Sequence, residues 1–483
     1  MVNVLPNQKH PLFIYILTFA EFWDRFSYYG IQALLVLYLT KVFIFSDHAA
    51  YGLYGVFTAL TFASTILGGI IADKLIGAQH GIIIGAFLIV LGNLLLILPA
   101  PNFLYFGLAT LIGGIGFFKP NSANFAGTLY EGEATAKREG GFSIFYMGMN
   151  AGALLGPLTY GAVSKIFGWH AGFYISAIGT CVSLILLILH RTLFSNKHSS
   201  SPNLFFDKKI LLVSVVTLIS IWVFALLIEH HSAFGSLLGF IGLTTIIGLV
   251  VIAVKSPLIE RKHIVALSIL SFFCIFYFSC SLQTATTLTL FIERNIDRNI
   301  FGLQIPTMIF LSLQPFFIIL CAPFMGKFWA VLSQRNILNS IAPKISLGLF
   351  FAAMSFFIFS WAAYYSTQNY LRLVGIIVGN FTLALGELCT LPILLSAISQ
   401  FSPKKWRSTM IGVLFLSLAF SGYFAGIIAQ LASTHTTIKN MSTNVAINYS
   451  LTFIDIGGAA FLISLIILLL TPLLKKLFQQ HSI

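Results

Sequence analysis

Only 8% of the 483 residues are charged at neutral pH, whereas a soluble domain carries about 25%. A protein folded in water needs charged groups to cover its surface, so this scarcity excludes a soluble globular domain. Acidic residues are the scarcer kind: 14 Asp and Glu stand against 27 Lys and Arg, for a net charge of +13. The five cysteines, Cys181, Cys274, Cys280, Cys321 and Cys389, all lie in apolar runs without metal-ligand spacing. They read as small packing residues and say nothing about redox compartment. No HExxH, GxSxG or P-loop pattern occurs, so the chain is not expected to be an enzyme, and no metal or organic cofactor is expected.

Apolar residues make up 58% of the chain, aromatic ones 15%, and the mean hydropathy is +0.94. Fourteen apolar runs between residues 12 and 474 are long enough to cross a bilayer, which predicts an all-α polytopic membrane protein. With the N-terminus placed in the cytoplasm, nineteen of the 27 basic residues fall in connections on that side. Six fall opposite: Lys41, Lys165, Arg294, Arg298, Arg372 and Lys439. The excess of positive charge is therefore a topology signal and gives no ground for a nucleic-acid partner. An even number of spans returns the C-terminus to the cytoplasm. Since the segment before residue 12 is short and polar, the first span is expected to be its own uncleaved insertion signal.

The longest polar linker, Phe194 to Lys208 with its serine-rich core, follows six spans. Six more count back from the C-terminus, which leaves two central spans with few polar side chains. The expected organisation is a six-helix bundle at 1–193, a linker with two extra helices at 194–262, and a second six-helix bundle at 263–483. The central pair is expected to pack outside the bundles. Small-residue spacing at Gly152/Gly156 and Gly422/Gly426 suits close helix packing.

Charges inside the apolar runs are the exception that carries chemistry. Glu21, Asp24 and Arg25 share the first run, and with Tyr28 they follow i, i+3, i+4, i+7 spacing, hence one helix face. Lys119 and Glu387 lie in two other runs; Asp455 sits near a span end and is set aside. Three acids against two bases leave one negative charge, which one proton neutralises. Intramembrane ionisable residues usually pair with one another and mark ion or proton pathways, and a pair that forms and breaks can take up and release a proton. Static salt bridges that fix helix orientation are the alternative.

Several motifs resemble the proton-dependent oligopeptide transporter family of the major facilitator superfamily, in its bacterial form. They are Glu21-Phe-Trp-Asp24-Arg25-Phe26-Ser-Tyr28-Tyr29, Phe118-Lys119-Pro120-Asn121, Phe145 to Gly152 with Gly168-Trp169-His170, Glu293 to Arg298, Gly386-Glu387-Leu388 with Pro392, and Phe401-Ser402-Pro403. Gly69 to Gly77, with Asp73 and Lys74, is similar to the loop motif of major facilitator carriers, where it supplies gating contacts. The resemblance implies a major facilitator fold in a bacterial cytoplasmic (inner) membrane, and import of di- and tripeptides with protons as the coupling ion. It implies proton coupling through Glu21, Asp24, Arg25, Lys119 and Glu387. Arg25 and Lys119 would take the peptide carboxylate and Glu387 its amino terminus, with Tyr28, Tyr29 and Asn150 adding polar contacts. A zwitterion needs a pole of each sign, and one on each half would draw the halves together on occlusion. The expected partners are a small peptide, protons and membrane lipid, with the chain acting as a monomer.

Departures from the pattern concentrate where the substrate would lie. Asp24 replaces a glutamate, Gln32 an arginine, Phe62 a tyrosine, Phe278 a tryptophan, Leu282 a glutamate, Gln314 an asparagine and Leu414 a tryptophan. Gln32, Phe62, Phe278, Gln283 and Gln314 complete the expected substrate lining. Losing the Gln32-position arginine together with the Leu282-position carboxylate removes one charge of each sign, as the loss of a salt-bridged pair would. The altered lining leaves a second expectation open: the same fold and proton coupling, serving another small zwitterion such as an amino acid.

Overall fold

A computed structural model describes residues 10–131, 135–190, 208–300, 302–335, 340–364, 369–438 and 445–478. The serine-rich linker expected at 194–208 lies outside the described residues except for Lys208. The described chain is helical but for one two-stranded antiparallel hairpin, β1 (Asn299–Ile300) and β2 (Leu303–Gln304), turned at Gly302. In hydrocarbon each unpaired backbone group costs several kcal/mol, so an apolar chain closes its hydrogen bonds within helices. Eleven helical stretches among the described residues are long and apolar enough to cross a membrane.

Two compact units form. The first holds residues up to Leu34 and Leu60–Glu229; the second holds Leu35–Ala59 and His230–Ile483. Contacts place α7 (Lys208–Glu229) in the first unit, where it packs on α4 (Pro101–Thr128), and α8 (His231–Lys255) in the second, where it packs on α9 (Leu258–Ser281).

In the first unit α1 (Leu12–Lys41), α2 (Asp47–Ile71), α3 (Gly77–Leu96), α4, α5 (Thr135–Phe167) and α6 (Ala171–Leu189) follow in order. Glycine sets how close they come. On α3 and α4, Gly85 faces Gly114, and Gly92 faces Gly107, so a methyl on any of the four would lie within 3.2 Å of the partner's carbonyl oxygen. With no water to expel between helices in lipid, such close backbone packing is a main source of association. Gly152 and Gly156 of α5 lie against α1: a methyl on Gly152 would meet the Phe22 carbonyl oxygen at 2.3 Å, and one on Gly156 the Phe26 carbonyl oxygen at 2.5 Å. Gly77 ends the π-helical turn Ala72–Ile76 at φ 79°, a conformation that a side chain would strain.

The second unit adds α10 (Thr287–Asn295), α11 (Leu313–Gln334), α12 (Ile341–Tyr364), α13 (Asn369–Leu388), α14 (Leu391–Phe401), α15 (Arg407–Ile438) and α16 (Val445–Phe478). Ser346 and Ser464 bond each other's carbonyls across α12 and α16, at 2.8 and 3.0 Å. Two helical lines are broken. Between α9 and α10 a 3₁₀ turn, Leu282–Ala285, leads into Thr286 and Thr287, whose hydroxyls bond Gln283. Between α13 and α14 the break at Cys389 and Thr390 precedes Pro392, which has no N–H to continue the ladder. Irregular backbone at membrane depth is tolerated where it lines a cavity or is buried in protein.

Candidate functional site

The spacing of α1 brings its charges together as its periodicity requires. Arg25 donates from Nε and Nη2 to Glu21 Oε1 at 3.1 and 2.8 Å, and its Nε lies 3.6 Å from Asp24 Oδ2. Exposures are 1% for Glu21, 2% for Asp24 and 4% for Arg25. From α4, Ser122 donates to Glu21 Oε2 at 2.8 Å, and the Lys119 ammonium sits 4.9 Å from the centre of the Phe62 ring, within cation–π reach. Lys119 and Phe62 are both half-buried. The buried Glu21, Asp24 and Arg25 and the half-buried Lys119 thus form one cluster, neutral when all four are ionised. Such an arrangement can take up a proton only by weakening one of its own pairs.

The other expected residues of this unit take different places. Tyr28 and Gln32 are buried, Tyr29 and Asn150 half-buried, and the Asn150 side-chain amide donates to its own helix at the Tyr146 carbonyl, 2.8 Å away. Asp73 and Lys74 are exposed on the π-helical turn.

In the second unit Glu387 is the penultimate residue of α13, two residues before the break at Cys389. Gln314 donates to Glu387 Oε2 at 2.8 Å, and the same amide lies 2.9 Å from Ser281 Oγ. Among the described residues no cation pairs with Glu387. Phe278 is half-buried. Gln283, expected among the substrate contacts, is turned to the protein's own backbone and hydroxyls. It is fully buried, with its amide nitrogen on the Ala425 carbonyl of α15 at 2.9 Å and its oxygen accepting from Thr286 and Thr287. All its capacity goes into holding the broken α9–α10 line.

Sequence reasoning missed a second ion cluster where α1 ends and α2 begins. Glu293 of α10 takes Lys41, Arg298 at 2.9 Å and the Thr307 hydroxyl, while Arg294 forks onto Asp47 at 2.6 and 2.8 Å. Its signal was the pair of oppositely charged neighbours Glu293-Arg294, matched by Lys41 and Asp47 six residues apart. Ser122 was also missed, although it lies one turn from Lys119 on the same helix.

A fold of packed spans with ionisable residues buried at membrane depth defines a helical membrane transporter. Comparison sharpens the class. The POT family model matches residues 79–445. An uncharacterized transporter, YclF, of Bacillus subtilis is 28% identical over 481 residues, covering 97% of this chain and 95% of that one. Dipeptide and tripeptide permease A of Serratia proteamaculans is 26% identical over 477 residues, covering 97% and 92%. A crystal structure of a peptide transporter POT in complex with sulfate superposes with a TM-score of 0.84, at 29% identity, covering 98% and 96%. The chain belongs to the POT family, and its fold is the major facilitator type of helical membrane fold.

Proposed function

We propose that this protein imports di- and tripeptides together with protons. The observation that carries the reading is the buried cluster of Glu21, Asp24 and Arg25 with Lys119 beside it, in a chain that belongs to the POT family. Relatives named as di- and tripeptide permeases, and solved peptide transporters, support peptide as the substrate. A peptide zwitterion presents a carboxylate suited to Arg25 and Lys119 and an ammonium suited to Glu387. Tyr28, Tyr29, Gln32, Phe62, Asn150, Phe278 and Gln314 complete the proposed lining, and Asp73 and Lys74 the proposed gating turn. Coupling needs only protons, with no other cofactor and no catalytic activity. The protein works as a monomer among lipids of the bacterial cytoplasmic membrane, crossing fourteen times with both termini inside, as its distribution of Lys and Arg suggests.

The test is uptake of labelled dialanine into proteoliposomes under an inward proton gradient. Uptake should require the gradient, resist competition by free amino acids and disappear in Glu21→Gln. Gradient-driven uptake of an amino acid with none of dialanine would replace peptide as the substrate.

A further inference from the structure

Behind the charged face of α1, the first unit encloses a cavity of about 10 Å³ whose polar lining is Asp24, Thr180 and Ser183, the rest being apolar side chains of α1, α3 and α4. Asp24 is 2% exposed, and neither of its carboxyl oxygens makes a hydrogen bond. The hydroxyls opposite, on α6, are already committed as donors: Thr180 Oγ1 donates to the Ser176 carbonyl at 2.6 Å and Ser183 Oγ to the Gly179 carbonyl at 2.9 Å. A hydroxyl has one proton, so both oxygens meet the cavity as acceptors. An ionised carboxylate is an acceptor as well. On the cavity side ionised Asp24 would therefore meet acceptors alone, its nearest cation being Arg25 Nε at 3.6 Å, whereas the neutral acid brings the O–H that they need. The charges acting on Asp24 are Arg25 and Glu21 on its own helix and Lys119 on α4; no charged side chain of α3 or α6 lines the cavity.

We propose that Thr180 and Ser183 are positioning residues for the coupled proton. A single water, for which about 10–15 Å³ suffices, accepts the O–H of neutral Asp24 and donates its own two protons to their oxygens; beside the carboxylate the same water would have no donor left to accept from. They thereby hold the proton on Asp24 rather than on Glu21, whose two oxygens are already engaged by Arg25 and Ser122. This rests on the reading of the chain as proton-coupled.

The test reads the acid directly, by infrared difference titration of the whole protein in lipid, with the carbonyl band of neutral Asp24 assigned by its loss in Asp24→Asn. In Thr180→Val/Ser183→Ala that band should titrate about one pH unit lower, a tenfold loss of proton affinity, roughly what one hydrogen bond is worth. Thr180→Ser, which keeps the hydroxyl, should leave it in place. If the double variant does not fold, Ser183→Ala alone should move it by a smaller step in the same direction. An unmoved band, or one displaced to higher pH because the hydroxyls had been donating to the carboxylate, overturns the proposal. So does a band that survives in Asp24→Asn. Failure of the transport reading would appear in the dialanine uptake and leave this titration unaffected, so the two are separable.

Discussion

Two ion clusters of similar composition occupy very different surroundings. At Glu21, Asp24 and Arg25 the side chains are at most 5% exposed, whereas Lys41 and Arg294 of the second cluster are each 44% exposed. Both clusters use short, well-directed contacts, so geometry does not separate them. Solvent does. In the buried cluster a charge without its partner has no water to fall back on, so the pairing is obligatory while the charges last. Where α1 meets α2 a released side chain is rehydrated at once, so the contacts can open at small cost. A transporter needs both kinds: one whose charge state is tied to its contacts, and one that can part and re-form.

The sharpest way to break the comparison is Arg25→Ala. It leaves two buried carboxylates with Lys119 as the one cation acting on them, and removing one partner of a buried pair costs about 3–5 kcal/mol. Thermal unfolding in detergent should fall accordingly. A loss near that of an exposed pair would mean that water reaches the cluster. Next in size is Gly152→Val, since a side chain there meets the Phe22 carbonyl oxygen at 2.3 Å and Arg25 Cβ at 2.8 Å. Overpacking of this kind costs about 1–3 kcal/mol, and because it pushes α5 from the charged turn of α1, peptide uptake should drop with it. Stability lost with uptake intact would uncouple the packing from the cluster. Smaller again is Gln314→Leu, which takes from Glu387 its one donor among the described residues. Glu387 is half-buried, so the loss should be about that of one ordinary hydrogen bond, roughly 0.5–1.5 kcal/mol; unchanged stability would place Glu387 in water.

Much of this was legible in the sequence because a bilayer leaves few options. Apolar runs of spanning length must be helices, and Glu21 with Arg25, four residues apart, must share a face. The breaks before Thr286 and Pro392 were not legible as breaks, because hydropathy runs through them without interruption; only side-chain hydroxyls and a missing N–H stop the helix there. The contacts of Gln283 were hidden for a related reason. A glutamine in an apolar run reads as a substrate contact, yet this one satisfies the backbone of α15 and two threonines. Thr180 and Ser183 left no signal at all, since serine and threonine on a helix ordinarily bond their own preceding turn, as these two do.

The smallest expected effect sharpens the comparison most finely, because it concerns the exposed cluster alone. A double-mutant cycle of Lys41→Met with Glu293→Gln should return a coupling of about 1 kcal/mol or less, the ordinary worth of a solvent-facing pair. Two features of the site push it that way. Glu293 keeps Arg298 and the Thr307 hydroxyl when Lys41 is removed, so the acid is never left alone. The lysine is half out in solvent and regains hydration as it lets go. Raising the salt concentration should shrink the coupling further, since mobile ions screen an exposed pair and barely touch a buried one. A coupling of several kcal/mol that ignores salt would show that this cluster is as sealed as the one at Arg25. Its contacts would then have to be broken at the same cost, and the division of labour between the two clusters would not hold.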